Sequence, residues 1–478
     1  MTRALALLLA GAAAGAMTAC TTGPRDLDAQ AVLPPAATPA RIAPASGPAQ
    51  DFVAAPAPAR WWTTFASPRL DALVAEALAR NNDVASADAA LRQAQALAGA
   101  AAGALLPQVD AGYQAERARV SNALSPPVAD QNQQLYTLHT AQVTVGYTLD
   151  PFGGTRSRIR SARAAAEVQR HRLDAARTTV VATLVQAVIQ RAALADQIAA
   201  ARLGITVNRD ILSSLVQRQR LGAIGAADVA TQQTALATAE GALPPLVRQE
   251  AHQRVLIAAL LGRAAGAALP PLPALVGLRL PTRLPLALPS QVVADRPDVA
   301  AAREQLEGAG ADVRTAIAAR LPAITLSANA GGSAQRFGDM FKSGNPFWTL
   351  IGGITQPLFH AGALRRQQRA AEAALDGAKA QYRTAVVQAF GDVADALSGL
   401  ATDADALDAA SRAGDAAGRA LTFVRRQLAL GDVGTLQLLN ATAADAQARA
   451  QLVQARAARL TDTVALFQAT GGTIDGGR

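Results

Sequence analysis

The sequence holds one cysteine, Cys20, and its setting assigns it a chemistry. Arg3 is followed by an uncharged run from Ala4 to Ala16, then by Met17-Thr18-Ala19-Cys20. A cation, an apolar stretch and small residues ahead of a cysteine predict a lipoprotein-type signal, whose cleavage exposes the thiol for acylation. Thr21 follows instead of Asp, which fits sorting to an outer membrane. With no second cysteine, no intrachain disulfide can form. The other candidates for chemistry do not converge. His139, His171, His252 and His360 fall on separate predicted elements without metal-ligand spacing. No phosphate-cradling loop, nucleophile elbow or zinc motif occurs, so the sequence reads as neither an enzyme nor a cofactor binder.

The elements that would carry function come twice. Asp83-Val84-Ala85, Leu91 and an Ala-rich run close on Leu106-Pro107-Gln108-Val109; Asp298-Val299-Ala300, Leu306 and a second Ala-rich run close on Leu321-Pro322-Ala323-Ile324. Further anchors follow in the same order: Pro151-Phe152-Gly153-Gly154 with Pro357-Leu358-Phe359, Leu221-Gly222 with Leu430-Gly431, and Gly225 and Gly262 with Gly434 and Gly471. Such self-similarity predicts two like halves. The expected organisation is a signal over 1–19, a Pro/Ala-rich tether over 20–60, a first repeat over 61–269 with a strand pair near 107–151, a Pro-rich linker over 270–290, and a second repeat over 291–478 with a strand pair near 322–357.

At 478 residues and 50% hydrophobic content, with only 4% aromatics, the apolar fraction rests on alanine, which suits closely packed helices. The net charge of +9 comes almost wholly from Arg and contains no block of five like charges, so a nucleic-acid surface is disfavoured. Ile159, Ala166, Leu173, Val180, Ala187, Leu194 and Ala201 form an apolar row at seven-residue spacing, predicting one helix from Arg156 to about Gln219. Val386, Val393, Leu400, Leu407, Leu421 and Leu428 repeat the spacing, with a gap at Gly414.

Four segments alternate with period two instead. Val109, Ala111, Tyr113 and Ala115 oppose Gln108, Asp110, Gly112 and Gln114, and Val143, Val145, Tyr147 and Leu149 oppose Gln142, Thr144, Gly146 and Thr148. Ile324, Leu326 and Ala328 oppose Thr325, Ser327 and Asn329, and Trp348, Leu350 and Ile354 share a face. Strands with one apolar and one polar side fit a soluble core or a membrane β-barrel; helices this long beside them favour the barrel. No mature segment makes a convincing transmembrane helix. Four strands cannot close a barrel, so the chain must oligomerise, two copies giving eight strands and three giving twelve. The loops Arg119 to Gln134 and Gly331 to Asn345 would then emerge at the cell surface. The competing reading is a lipid-anchored periplasmic coiled-coil adaptor or scaffold, which shares the helices and signal but has no use for the strands.

Trp61-Trp62 through Phe65, Leu70 to Asn81, Tyr147 to Gly153, Arg296-Pro297-Asp298-Val299 and Gln356-Pro357-Leu358-Phe359 together resemble the TolC-like outer-membrane efflux family, in its lipoprotein branch. The resemblance implies a mainly α fold with a membrane β-barrel portion: a homotrimer with a 12-stranded barrel and a long periplasmic α-barrel. It also implies a periplasmic adaptor protein and an inner-membrane efflux pump as partners, and passive conduction of small molecules. The family's entrance lies at the helix-to-helix turns, where Gly is followed six residues later by Asp. Gly222 and Asp228 match; at Gly431 the corresponding residue is Gln437, and the nearest acid is Asp432. Arg303 also departs from the family's usual Glu. Arg218, Arg220, Arg425 and Arg426 crowd the same tips, so salt bridges to Asp228 are the expected latch of a closed entrance.

Overall fold

Ala, Arg, Gln and Leu fill the long uninterrupted stretches, and these strong helix formers build very long helices. The computed structural model describes residues 41–42, 49–119, 135–286, 296–471 and 474; Cys20, the signal and the first surface loop from 120 onward lie outside the described residues. In chain order come β1 (Arg41–Ile42), β2 (Gln50–Val53), a 3-10 turn (Trp61–Phe65), α1 (Pro68–Arg80), α2 (Asn82–Gly103), β3 (Gln108–Arg119), β4 (Leu135–Leu149), α3 (Gly154–Arg220) and α4 (Ala226–Leu260). They are followed by β5 (Arg283–Pro285), α5 (Pro297–Ala318), β6 (Ala323–Ala334), β7 (Pro346–Thr355), α6 (Ala363–Leu430) and α7 (Thr435–Ala469). The duplication is visible in element lengths: α2 and α5 both have 22 residues, β3 and β6 have 12, α3 and α6 have 67 and 68, and α4 and α7 have 35.

The described residues divide into two units, one drawn from 92–168 and 302–381, the other from 32–91, 169–301 and 382–478. The first unit holds a four-stranded antiparallel sheet in the order β3-β4-β6-β7. The central pairing of β4 with β6, for example Val143 opposite Ala330, joins the hairpins of the two repeats. Where β4 turns into α3, Asp150 accepts from the Arg156 amide at 2.9 Å while the Arg156 guanidinium donates back to the Asp150 carbonyl at 2.7 Å. Burial pushes the Asp150 carboxyl up, but the amides of Arg156 and Thr155 outweigh it and hold it below the usual value.

The second unit is centred on buried Trp61, Trp62 and Phe65, with Trp61 stacked on Phe467 at 5.3 Å, and on Leu184, Ile189, Leu261 and Leu284. Fully burying such side chains contributes about 1.5–3 kcal/mol each. The segments expected as tether and linker contribute short strands here. Residues of the tether form β1 and β2, which pair antiparallel, and β2 pairs in parallel with β5 from the Pro-rich linker. Gln50, fully buried, donates to the Pro281 carbonyl at 2.9 Å.

Both repeats lock their bases in the same way. Asn81, just ahead of α2, donates to the Leu260 carbonyl at 3.1 Å; Arg296, just ahead of α5, donates to the Ala469 carbonyl at 3.2 Å. The chain then reverses at Gly262 (φ 66°) and Gly471 (φ 76°). A Cβ at Gly262 would strike the Arg80 carbonyl and one at Gly471 the Arg296 Cγ, and both residues have positive φ, so glycine is the residue that fits either turn. Arg296 also forks onto Asp298 at 2.7 Å and Asp392 at 2.8 Å. The Arg-Pro-Asp motif is therefore a clamp between α5, α6 and α7.

The predicted heptad row on α3 is buried from Ile159 through Leu194, and only Ala201 is half-exposed. On α6 only Leu400 and Leu421 of the row are buried. A stretch of α3 is also long and apolar enough to cross a membrane by composition, contrary to expectation, but two-thirds of it is buried within the fold as a core helix.

Candidate functional site

Two surfaces are candidates, the sheet and the helix tips. Directly opposed residues of antiparallel strands project to the same side. The register therefore collects Val109, Ala111 and Tyr113 of β3 with Val143, Val145, Tyr147 and Leu149 of β4, then with Ile324, Leu326 and Ala328 of β6 and Trp348, Leu350 and Ile354 of β7. These are the predicted apolar sets, brought onto one face. Many are open: Trp348 is 77% exposed, Ile354 74%, Val109 66% and Leu350 62%. An exposed apolar face of this extent marks contact with lipid or protein. The opposite face gathers Gln108, Asp110, Gln114, Thr140, Gln142, Thr144, Ser327, Asn329 and Thr349. It is polar and carries few charges, as a water-filled lumen requires.

At the tips, Gly222 (φ 73°) and Gly431 (φ 83°) end α3 and α6 in the same way. The Ala223 amide donates to the Arg218 carbonyl and the Asp432 amide to the Gln427 carbonyl, both at 2.9 Å, the six-to-one bond of a Schellman end. The next helices open with matched caps. Asp228 accepts from the Gly225 amide at 3.3 Å, and Gln437 accepts from the Gly434 amide at 3.2 Å. The departure from Asp to Gln thus keeps the cap and drops the charge. Arg218, Arg220, Arg425, Arg426, Asp228 and Asp432 are all exposed. Within one chain, no ion pair among the described residues joins these arginines to Asp228. The tips of the two repeats do meet, with Leu438 of α7 packing on Ile211, Leu215 and Val229.

Sequence reasoning missed the polar contacts between the long helices. Gln232 of α4, buried, donates to the Asn208 carbonyl and its side-chain oxygen, each at 3.0 Å. Arg191 pairs with Glu250 at 3.1 Å and Arg209 with Glu240 at 2.6 Å. Between α6 and α7 the Asp403 and Asp462 carboxyls meet. Burial, then the neighbouring Asp462 charge, pushes the Asp403 carboxyl up to about 6. Burial raises Asp462 as well. A side chain at Gly399 would fall on the Asp462 carboxylate, so the glycine makes room for the pair. Arg459, 1% exposed, lies beside them and donates to the Leu400 carbonyl at 2.7 Å. The histidines stay apart: His139 bonds Tyr113 at 2.8 Å, His171 lies against Arg170, and His252 lines a surface cleft with Gln190 and Arg248.

A duplicated chain with an amphipathic, open-edged sheet and paired long helices has the form of an outer-membrane channel subunit. The chain belongs to the outer membrane efflux protein family, whose model matches residues 73–263 and 288–472, one match in each repeat. It is 32% identical over 415 residues to the "Pyoverdine export outer membrane protein OpmQ" of Pseudomonas putida, covering 86% of this chain and 88% of that one. Among solved structures, the open-state MtrE outer membrane channel of Neisseria gonorrhoeae matches with a TM-score of 0.77 at 26% identity, over 85% of this chain and 90% of that chain. The CmeC outer membrane channel of Campylobacter jejuni shares the fold, with a TM-score of 0.82 at 20% identity, over 92% of this chain and 94% of that chain. The protein is an outer-membrane component of an efflux system, a channel-type transport protein.

Proposed function

We propose that three copies of this chain close one 12-stranded barrel in the outer membrane, continued into the periplasm by their long helices, through which small molecules leave by passive conduction. The observation that carries this reading is the sheet with four strands, one apolar exposed face and, among the described residues, unpaired outer edges on β3 and β7. Open edges are not tolerated in lipid, so β3 of one copy pairs with β7 of the next. The polar face then lines the lumen. Acylated Cys20 adds a lipid anchor on the periplasmic side.

The tips form the entrance, where a periplasmic adaptor protein delivers solutes from an inner-membrane pump. In that ring Arg218, Arg220, Arg425 and Arg426 meet Asp228 and Asp432 of neighbouring copies. Each such exposed pair contributes about 0–1 kcal/mol, but threefold repetition biases the closed state. Relatives bear names for different cargoes, pyoverdine in one and toluene in another. We take this to mean that the pump, not this chain, selects the solute. The experiment is single-channel conductance of purified protein in planar bilayers, for the wild type and Asp228→Ala. The reading expects a wild-type channel that opens rarely and a variant that opens more often. Absence of any conducting channel from a correctly assembled oligomer refutes conduction, and an unchanged variant refutes the latch.

A further inference from the structure

The turn between β6 and β7 was expected to rise from the sheet as a surface loop from Gly331 to Asn345. Instead β6 continues to Ala334, and residues 335–345 fold back over the apolar face. A Cβ on Gly332, which belongs to that face, would strike the Met340 carbonyl and crowd the Phe341 ring. Met340 is buried beneath the turn, whereas Phe337 and Phe341 remain 63% and 66% exposed. Phe337 packs edge-on against Tyr113 at 5.6 Å and against His139 at 6.1 Å. This aromatic tier joins β3, β4 and the turn at the level where β6 ends.

Cations lie further along the strands and in the turn. On β3 the apolar series Val109, Ala111, Tyr113 and Ala115 continues on the same face into Arg117 and Arg119, both exposed. The turn adds Arg336 and Lys342, against a single acid, Asp339, which Lys342 holds at 2.6 Å. Strands rise about 3.4 Å per residue and tilt roughly 40° in membrane barrels, which sets Arg117 about 20 Å above Val109 along the normal. The apolar band of such barrels is about 25 Å tall, so with Val109 at its inner edge Arg117 lies a few ångströms short of the outer one, and its long side chain reaches the headgroups. An outward-facing cation there meets lipid and not the lumen. Phosphate is the group that planar guanidinium forks and a lysine ammonium hold best.

We infer that Arg117, Arg336 and Lys342, above the Tyr113–His139–Phe337 tier, form a shelf that binds the phosphate groups of outer-leaflet glycolipid. The inference rests on the barrel orientation proposed above. The aromatic rings face the acyl chains below the border, and the cations engage the phosphates at it.

The test uses full-length protein extracted in neutral detergent, with native mass spectrometry to count bound lipid and heat-dependent gel migration to follow the oligomer. The probes are bisphosphorylated lipid A, its dephosphorylated form, phosphatidylglycerol and inorganic phosphate. The wild type is expected to retain bisphosphorylated lipid A at least tenfold better than the dephosphorylated form. The Arg117→Gln/Arg336→Gln/Lys342→Gln variant should lose that preference while keeping its oligomer and conductance. Arg365→Gln/Arg366→Gln, which removes exposed cations at the other end of the sheet, should bind like the wild type. Equal retention of both lipid A forms by the wild type overturns the inference even if the triple variant fails to assemble. Retention of phosphatidylglycerol to the same degree, or competition by inorganic phosphate alone, overturns it too. A wild type that conducts but ignores lipid A leaves the channel reading standing, whereas a monomer without conductance removes both.

Discussion

The two long hairpins of the second unit, α3 with α4 and α6 with α7, share their bases and differ along their shafts. At the base each repeat places a side chain ahead of a helix, Asn81 or Arg296, onto the closing carbonyl of the return helix, and reverses at a glycine with positive φ. Along the shaft the first hairpin is tied across its helices by Arg191–Glu250, Arg209–Glu240 and the buried Gln232–Asn208 contact. The second hairpin's ion pairs Arg412–Asp408 and Arg449–Asp445 stay within single helices. Across it, two carboxyls, Asp403 and Asp462, meet and repel when both ionise, beside the buried Arg459 that donates to the Leu400 carbonyl. Duplication has preserved the anchorage of the hairpins while letting one be braced by ion pairs and the other by a buried arginine beside a carboxyl pair.

Breaking the shared base should cost most. Gly471→Val forces a β-branched residue into positive φ and against Arg296, and Gly262→Val does the same against Arg80. Strain of about 1–3 kcal/mol and overpacking of similar size are expected for each. Both should abolish the heat-modifiable oligomer on gels; survival of one alone would show that the bases are not equivalent. Next, Gln232→Leu strands the Asn208 acceptors at a cost of about 1–3 kcal/mol, read as a lowered Tm, while Ala441→Leu at the matching place in the second hairpin should change little.

The carboxyl pair gives a pH signature. With Asp403 near 6 in the fold against an ordinary 3.8, its contribution to stability is full below about pH 4 and is lost as pH rises through 6. Asn copies the protonated form. Asp403→Asn should therefore raise Tm by on the order of 2 °C at pH 8, with the difference closing toward pH 4. A gain that is independent of pH would contradict a raised Asp403 carboxyl as its cause. Smallest of all, Asp228→Ala and Gln437→Ala should each remove a similar cap, about 0.5–1 kcal/mol, visible as equal small losses of Tm. Unequal losses would mean that Asp228 has partners beyond its own helix.

Legibility followed the covering of each surface. The α3 row from Ile159 to Leu194 was readable because its face is buried along that whole length, so period and burial coincide. The α6 row was only half readable, since Val386, Val393, Leu407 and Leu428 are not fully covered within one chain. Strand faces were readable because alternation is local. The β1-β2-β5 sheet was not: strands of two to four residues among prolines carry no period. Asp403 and Asp462 lie in different helices, and the only local sign of their meeting is a helical glycine, Gly399. Gly332 falls in the segment expected as a surface loop, and nothing nearby in sequence says that the chain returns over it.

The account stands on several copies sharing one barrel, which the native mass of the detergent-extracted protein tests most directly. Three chains per particle, with conductance in planar bilayers from that same fraction, is the predicted result. A stable single chain that stays soluble without detergent would contradict it.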